Sequence, residues 1–245
     1  MPSDLDGAIL PPAGSPNFQL TLAPPNALKL FKFHVDWTTP ANTTLTGPIT
    51  IAVPSYTEAS GDASVPQPGT TQKLDSLGDR LMFRLAYRRF ADGHEAMVTN
   101  HTVVAGTRFA PRRYEIRSPN ATPTLFQSGT YAPADTIYRW MGSIAMDKLG
   151  DIAIGYSASS STVFPSIRFT GRVPADPIGT LQVEKVGKAG AGSQQTTLGR
   201  WGDYSSMSID PTRDCLFAYN NEYLKVSGTF NWSTWIDAIQ FPGCS

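Results

Sequence analysis

Two stretches of the chain repeat one pattern: YRWMGSIAMDKLGDIAIGYSAS at Tyr138–Ser159 and GRWGDYSSMSIDPTRDCLFAYNNEY at Gly199–Tyr223. Each passes from Arg-Trp through a short strand-like run to an Asp in a turn, then into a second run that reaches a Tyr. Asp147 and Asp210 stand 63 residues apart. A third, looser copy is GDRLMFRLAYRRFADGHEAMVTNHTV at Gly78–Val103. Self-similarity at a long, regular spacing marks a repeat architecture, in which each unit buries its apolar surface only against its neighbours.

The runs inside each copy read as strands. Leu81, Phe83, Leu85 and Tyr87 alternate with Met82, Arg84, Ala86 and Arg88, which predicts two opposite faces of one strand. The Gly78–Val103 copy continues into RRYEIRS and TLFQSGTY, and the Tyr138–Ser159 copy into SIRFTGR and GTLQVEKVG, so each holds four runs. The N-terminal part supplies three (NFQLTLA, ALKLFKFHVDW, GPITIAV), and the C-terminal unit stops after its third, STWIDAIQF. The 21 glycines and 20 prolines suit many short strands joined by turns. Four strands per unit of about 60 residues predict an all-β, β-propeller-like chain of four-stranded antiparallel blades. The expected units are a partial blade over 15–56, blades over 78–135 and 138–190, and a partial blade over 199–243, together a partial or half propeller. A β-sandwich is the alternative. DLDG at Asp4–Gly7 is expected to be a turn, and the Gly-rich 187–199 a flexible loop between blades.

Charge is balanced, 20 basic against 20 acidic residues, which gives no electrostatic footprint for nucleic acid. No apolar run is long enough to span a bilayer, and the first residues lack the pattern of a secretory signal. Cys215 and Cys244 are either two inert thiols or one disulfide pinning the last strand; the disulfide is the expectation, and it points to an oxidising compartment.

PSDLDG, LKLFKFHVDW, RWMGSIAMDKLGDIAIGYSAS, PSIRFTGR and RWGDYSSMSIDP are the stretches that carry a family resemblance, one that extends over nearly the whole chain. The chain resembles the C-terminal region of large secreted bacterial proteins, which are similar to the sialidase-like, Asp-box group of propellers. That resemblance implies a propeller fold and an extracellular setting. AMDKLGDIAIGY and SIDPTRDCLFAY are degenerate relatives of an Asp box, and the Phe/Tyr-Arg-Ile-Pro signature of sialidases is missing, so the resemblance implies no particular reaction.

In a propeller, the starts of the first strands and the ends of the second strands meet at one face. This gathers Arg80, Arg139 and Arg200 with Trp140, Trp201 and Asp203. From the second strands it adds Asn100 and His101, the small polar run 157–161, and Glu222 with Tyr223. Several guanidinium groups in one cleft suit a carboxylate, sulfate or phosphate on a ligand, and the two Trp would offer apolar faces to a sugar ring. Glu222, Tyr223 and Asp203 are the available acid–base material for glycoside hydrolysis, in which sialidases use a Tyr nucleophile. The competing expectation is architectural, with Trp wedged between blades and Arg bonded to a neighbouring acid.

His34, His94 and His101 lack metal-ligand spacing, so no catalytic metal is expected. Calcium is possible at Asp4–Gly7 or Asp147–Asp151, although neither follows an EF-hand loop and side-chain-to-backbone turns are the expected role, there and at Asp210. No G-x-S-x-G, P-loop or G-x-G-x-x-G is present. The expected function is therefore binding of glycans or other polar extracellular ligands, anionic ones included, at the central mouth. The alternatives are a glycoside hydrolase at the same mouth and a structural or adhesion module, with self-association or pairing with a missing N-terminal half.

Overall fold

The difference between alternating and continuous apolar runs decides the layering of this chain. In NFQLTLA, Phe18 and Leu20 are buried while Asn17 and Thr21 are exposed, so one face of that strand meets water. In YRWMGSIAM and IAIGYSAS every residue but Tyr138 is buried, so the sheet they belong to is covered on both faces. The computed structural model of the chain, which describes residues 1–59, 61 and 64–244, shows how this is achieved.

Four sheets follow one another along the sequence. The first is a meander of β2 (Asn17–Ala23), β3 (Ala27–His34) and β4 (Thr44–Ala52). The second holds β5 (Met82–Arg89), β6 (Glu95–Ala105), β7 (Arg108–Arg117) and β8 (Thr124–Thr130), with β1 (Ser3–Asp6) added in parallel beside β5. The third holds β9 (Tyr138–Met146), β10 (Ile152–Ser159), β11 (Ser166–Arg172) and β12 (Lys185–Lys188). The fourth holds β13 (Ser206–Ile209), β14 (Leu216–Tyr223) and β15 (Ser233–Gln240). The protein is all-β, and its sheets have three to five strands. No helix among the described residues is long and apolar enough to cross a membrane.

The sheets stack in sequence order. Phe18, Leu20, Leu28 and Leu30 of the first meet Leu85, Tyr87, Met97 and Tyr114 of the second. Ala86, Ala96 and Val98 on the other side of the second sheet meet Ile144, Ile152, Ile154 and Tyr156 of the third. Ala145, Ala153 and Ile167 on the opposite side of the third meet Met207, Phe217, Tyr219 and Phe241 of the fourth. Each middle sheet thus buries both faces. Cores of this kind are held by the roughly 25 cal/mol released per Å² of apolar surface removed from water.

The leading strands of the last three sheets are tied together by side chains. Arg88 donates from Nε to the Met146 carbonyl (2.9 Å), joining β5 to β9. Met207 N–H donates to Ser143 Oγ (2.8 Å) and Ser205 Oγ to the Met141 carbonyl (3.0 Å), joining β9 to the β13 region. Beneath them, Arg84 forms ion pairs with Asp4 (2.7 Å) and Asp6 (2.6 Å).

Three local expectations are corrected. DLDG is not a turn: Asp4 and Asp6 lie in β1, where both carboxylates meet Arg84. Phe83 leaves the face shared by Leu81, Leu85 and Tyr87 and is 39% exposed, because the pairing of β5 with β6 slips between Met82 and Ala86. The 187–199 segment is pinned, not a free linker. Its Gln194 is buried, receives the Gln67 amide on its carbonyl (3.2 Å) and donates its own N–H to Gln67 Oε1 (2.8 Å). The Asp turns are as the sequence suggested. Asp147 Oδ1 accepts the N–H groups of Leu149 and Asp151 (both 2.9 Å), and Asp210 Oδ1 accepts that of Thr212 (2.8 Å).

Candidate functional site

Glu222 stands near the end of β14, on the side of that strand facing away from the third sheet. The chain enters β13 through Arg200-Trp201-Gly202-Asp203, and this loop folds back over it. Glu222 Oε1 accepts the Gly202 N–H (2.8 Å), and Arg200 pairs with Asp203 across one turn. Arg200, Trp201, Gly202, Asp203, Glu222 and Trp232 line one cleft of about 240 Å³. Burial, aided by the charge of Asp203, pushes the Glu222 carboxyl up to about 7. It can therefore hold or release a proton near neutrality.

Trp232 is the member of this cleft that the repeat did not reveal. Its ring is 41% exposed, and its Nε1–H is anchored on Gln194 Oε1 (2.6 Å). The sequence signal was NWSTW, an aromatic pair flanked by small polar residues outside the repeated motif. Arg80 lies half-exposed before β5. Its guanidinium grips neighbouring Asp79 through Nε (2.7 Å) and Nη2 (2.9 Å), with the Tyr204 phenol beside it. Tyr204 follows Asp203 directly, so Arg80 adjoins the loop that forms the cleft.

Other expected members are elsewhere. Arg139 is 1% exposed and spends its donors on acids just before β9 and β12: on Glu184 Oε1 (2.7 Å) and Oε2 (2.8 Å), and on Asp135 Oδ1 (3.0 Å) and Oδ2 (2.6 Å). The Tyr156 hydroxyl also donates to Glu184 (2.8 Å), and Arg168 reaches the same carboxylate. Burial opposes the charge on Glu184, yet these donors hold its carboxyl below the usual range. Arg139 is thus a structural cation and does not share an opening with Arg80 and Arg200.

Trp140 and Trp201 are both buried, at 6.3 Å between ring centres, in a core with Met82, Met141 and Leu224. Trp201 donates its Nε1–H to Ser157 Oγ (3.0 Å). Apart from the edge of Trp201 that reaches the cleft, neither indole offers a face to a sugar. The two Arg-Trp copies are also unequal: Arg139 and Trp140 lie inside β9, whereas Arg200 and Trp201 precede β13 in a loop.

Asn100 and His101 are buried within the second sheet. His101 Nε2 meets the Tyr114 hydroxyl at 2.9 Å, and burial together with Arg112 pushes its imidazole down to about 3, so it is neutral. Tyr223 packs into the core between the third and fourth sheets, with Lys188 Nζ 5.4 Å from its ring centre. That places it away from Glu222, whose side chain leaves the opposite face of β14. Cys215 and Cys244 are joined by a disulfide that ties the start of β14 to the segment after β15. Asp147 lies beside these sulfurs, but bonded sulfurs offer no thiolate to a metal.

Comparison of the chain with protein-family models and with curated proteins gives no match. A crystal structure of a protein of unknown function from Dyadobacter fermentans DSM 18053 is similar over 88% of this chain and 51% of that one, at 13% identity and a TM-score of 0.40. The chain spans about half the length of that protein, and a likeness of this size assigns neither fold nor activity.

Proposed function

We propose that the chain is a partial, sialidase-like β-propeller set outside the cell, and that it binds glycans in the cleft formed by Arg200, Asp203, Glu222 and Trp232. Three features support the radial arrangement: sheets stacked in chain order, leading strands of the last three sheets bridged to one another, and loops of the Asp type at the turns. The disulfide fits an oxidising compartment.

The observation that carries the binding reading is an exposed indole, Trp232, beside a carboxyl and an ion-paired guanidinium in one cleft. An aromatic face covers the apolar side of a pyranose, while carboxyl and guanidinium groups bond its hydroxyls. The test is thermal unfolding of the chain against a panel of neutral and acidic oligosaccharides. A ligand raises the midpoint as its concentration passes its dissociation constant, and the shift is lost in Trp232→Ala. A panel with no shift at millimolar sugar rejects the reading.

One observation favours glycoside hydrolysis at the same cleft: Glu222 has the raised carboxyl of a general acid, with Asp203 as a second carboxylate nearby. Turnover of chromogenic glycosides, abolished by Glu222→Gln with binding retained, separates an enzyme from a binder.

A further inference from the structure

At the opposite end of the sheets from the Glu222 cleft, a cavity of about 260 Å³ opens between the second and third sheets. Its rim is set by the β5–β6 turn and by Leu149 and Gly150 of the β9–β10 turn, with Ile178 across from them. Arg172, at the end of β11, lines it and is 3% exposed. Its Nη2 donates to the Asp176 carbonyl (2.8 Å), and its Nε has no partner among the described residues. Deeper between the same sheets lies Arg113 of β7, 1% exposed, whose Nη2 donates to Gln127 Oε1 (3.0 Å) and the Thr180 carbonyl (3.1 Å). Its Nε and Nη1 have no partners among the described residues.

Both guanidinium groups are therefore buried with neutral acceptors only. Among the described residues, no carboxylate makes an ion pair with either. The nearest acids are otherwise engaged. Glu115 holds Arg117 (2.8 Å) and Gln127 (2.6 Å), and Asp151 feels the charge of Arg172 without forming an ion pair with it. Burial, and then the charge of Arg172, push Arg113 down to about 10 against the attraction of Glu115. Buried cations that lack an ion-pair partner and have unused N–H donors are costly unless something negative joins them. The apolar part of the wall is Phe90, stacked on His94 at 4.1 Å, with Phe126 and Met146, and the Glu115–Arg117 ion pair completes the lining.

We propose that this cavity binds a small organic anion. Its carboxylate, sulfonate or phosphate would meet Arg172, with Arg113 adding positive potential behind it, and its aromatic or aliphatic body would lie against Phe90, Phe126 and Met146. Guanidinium groups favour such multi-oxygen acceptors, and mixed apolar walls with a few polar anchors are the usual make-up of a small-molecule site.

Isothermal titration of the whole chain with 2-naphthalenesulfonate tests this, with 2-naphthalenemethanol as the neutral counterpart. The expected result is one equivalent of sulfonate bound, with the alcohol weaker by about tenfold or more, the effect of losing a charge-assisted contact. Arg172→Gln should weaken the sulfonate by about the same factor. Because Arg172 is buried, that variant can fail to fold. Ile178→Trp, at the exposed rim, fills the opening without touching a buried charge, so it should abolish binding while the ligand-free unfolding midpoint stays put. No sulfonate binding by the wild-type chain, equal binding of alcohol and sulfonate, or full binding by Ile178→Trp would each overturn the proposal.

Discussion

The ring of Tyr219 lies directly on the backbone of Gly155: a methyl group placed on that glycine would sit 2.3 Å from Tyr219 Cε1. The fourth sheet therefore approaches the third as closely as it does because position 155 has no side chain. Gly155→Ala should destabilise the chain by about 1–3 kcal/mol, the usual penalty of overpacking a dense core, read as a lower denaturant midpoint. An unchanged midpoint would mean the two sheets do not meet there.

The Arg139–Glu184 pair makes a second prediction. Arg139→Ala leaves Glu184 and Asp135 short of their main cation, and breaking a buried pair of this kind costs about 3–5 kcal/mol. Arg139→Lys should recover only part of the loss, because an ammonium cannot serve two carboxylates with paired N–H donors. Chemical denaturation gives both values. If Arg139 served a ligand instead, its removal would spare stability and abolish binding.

The pH dependence follows from Glu222 and from the Asp147–Asp151 pair. Burial raises Glu222 to about 7, and Asp151 is raised to about 7 by burial and by the charge of Asp147. A carboxyl whose folded pKa exceeds its unfolded value binds its proton more tightly in the native state. Stability therefore falls as pH rises from the unfolded value near 4 to about 7, and levels off above it. Glu222→Gln and Asp151→Asn should each flatten part of that decline. Equal slopes for the variants and the wild type across this window would contradict the burial argument.

The disulfide closes a loop of 29 residues between Cys215 and Cys244. Such a constraint on the unfolded chain is worth about 3–4 kcal/mol, so reduction should lower the unfolding midpoint by about 10 °C. Calorimetry with and without reductant measures it.

Much of the fold is legible in the sequence because period and spacing are local properties. The three-run, four-run, four-run, three-run pattern falls on the four sheets except that β1 adds a fifth strand to the second, and the apolar runs around Ile144 and Ile154 mark the doubly covered third sheet. What was not legible depends on partners distant in the chain. Arg139 looks like Arg200 until Glu184, 45 residues away, is seen to hold it. Gln194 looks like part of a linker until Gln67, 127 residues away, meets it. Asp4 and Asp6 look like a turn because nothing local shows that Arg84 recruits them to the edge of β5. At the cleft, Glu222, Asp203 and Arg200 were readable from the repeat, whereas Trp232 was not, since it is singular.

Sugar binding in the cleft over β14 is the central claim about this protein. The most direct measurement is a two-dimensional NMR titration following the Trp232 indole and the Gly202 amide as an oligosaccharide that raises the unfolding midpoint is added. Both resonances should move together and saturate with one affinity, while the buried Trp140 indole stays fixed. Saturable shifts confined to other parts of the molecule, with Trp232 and Gly202 unmoved, would contradict it.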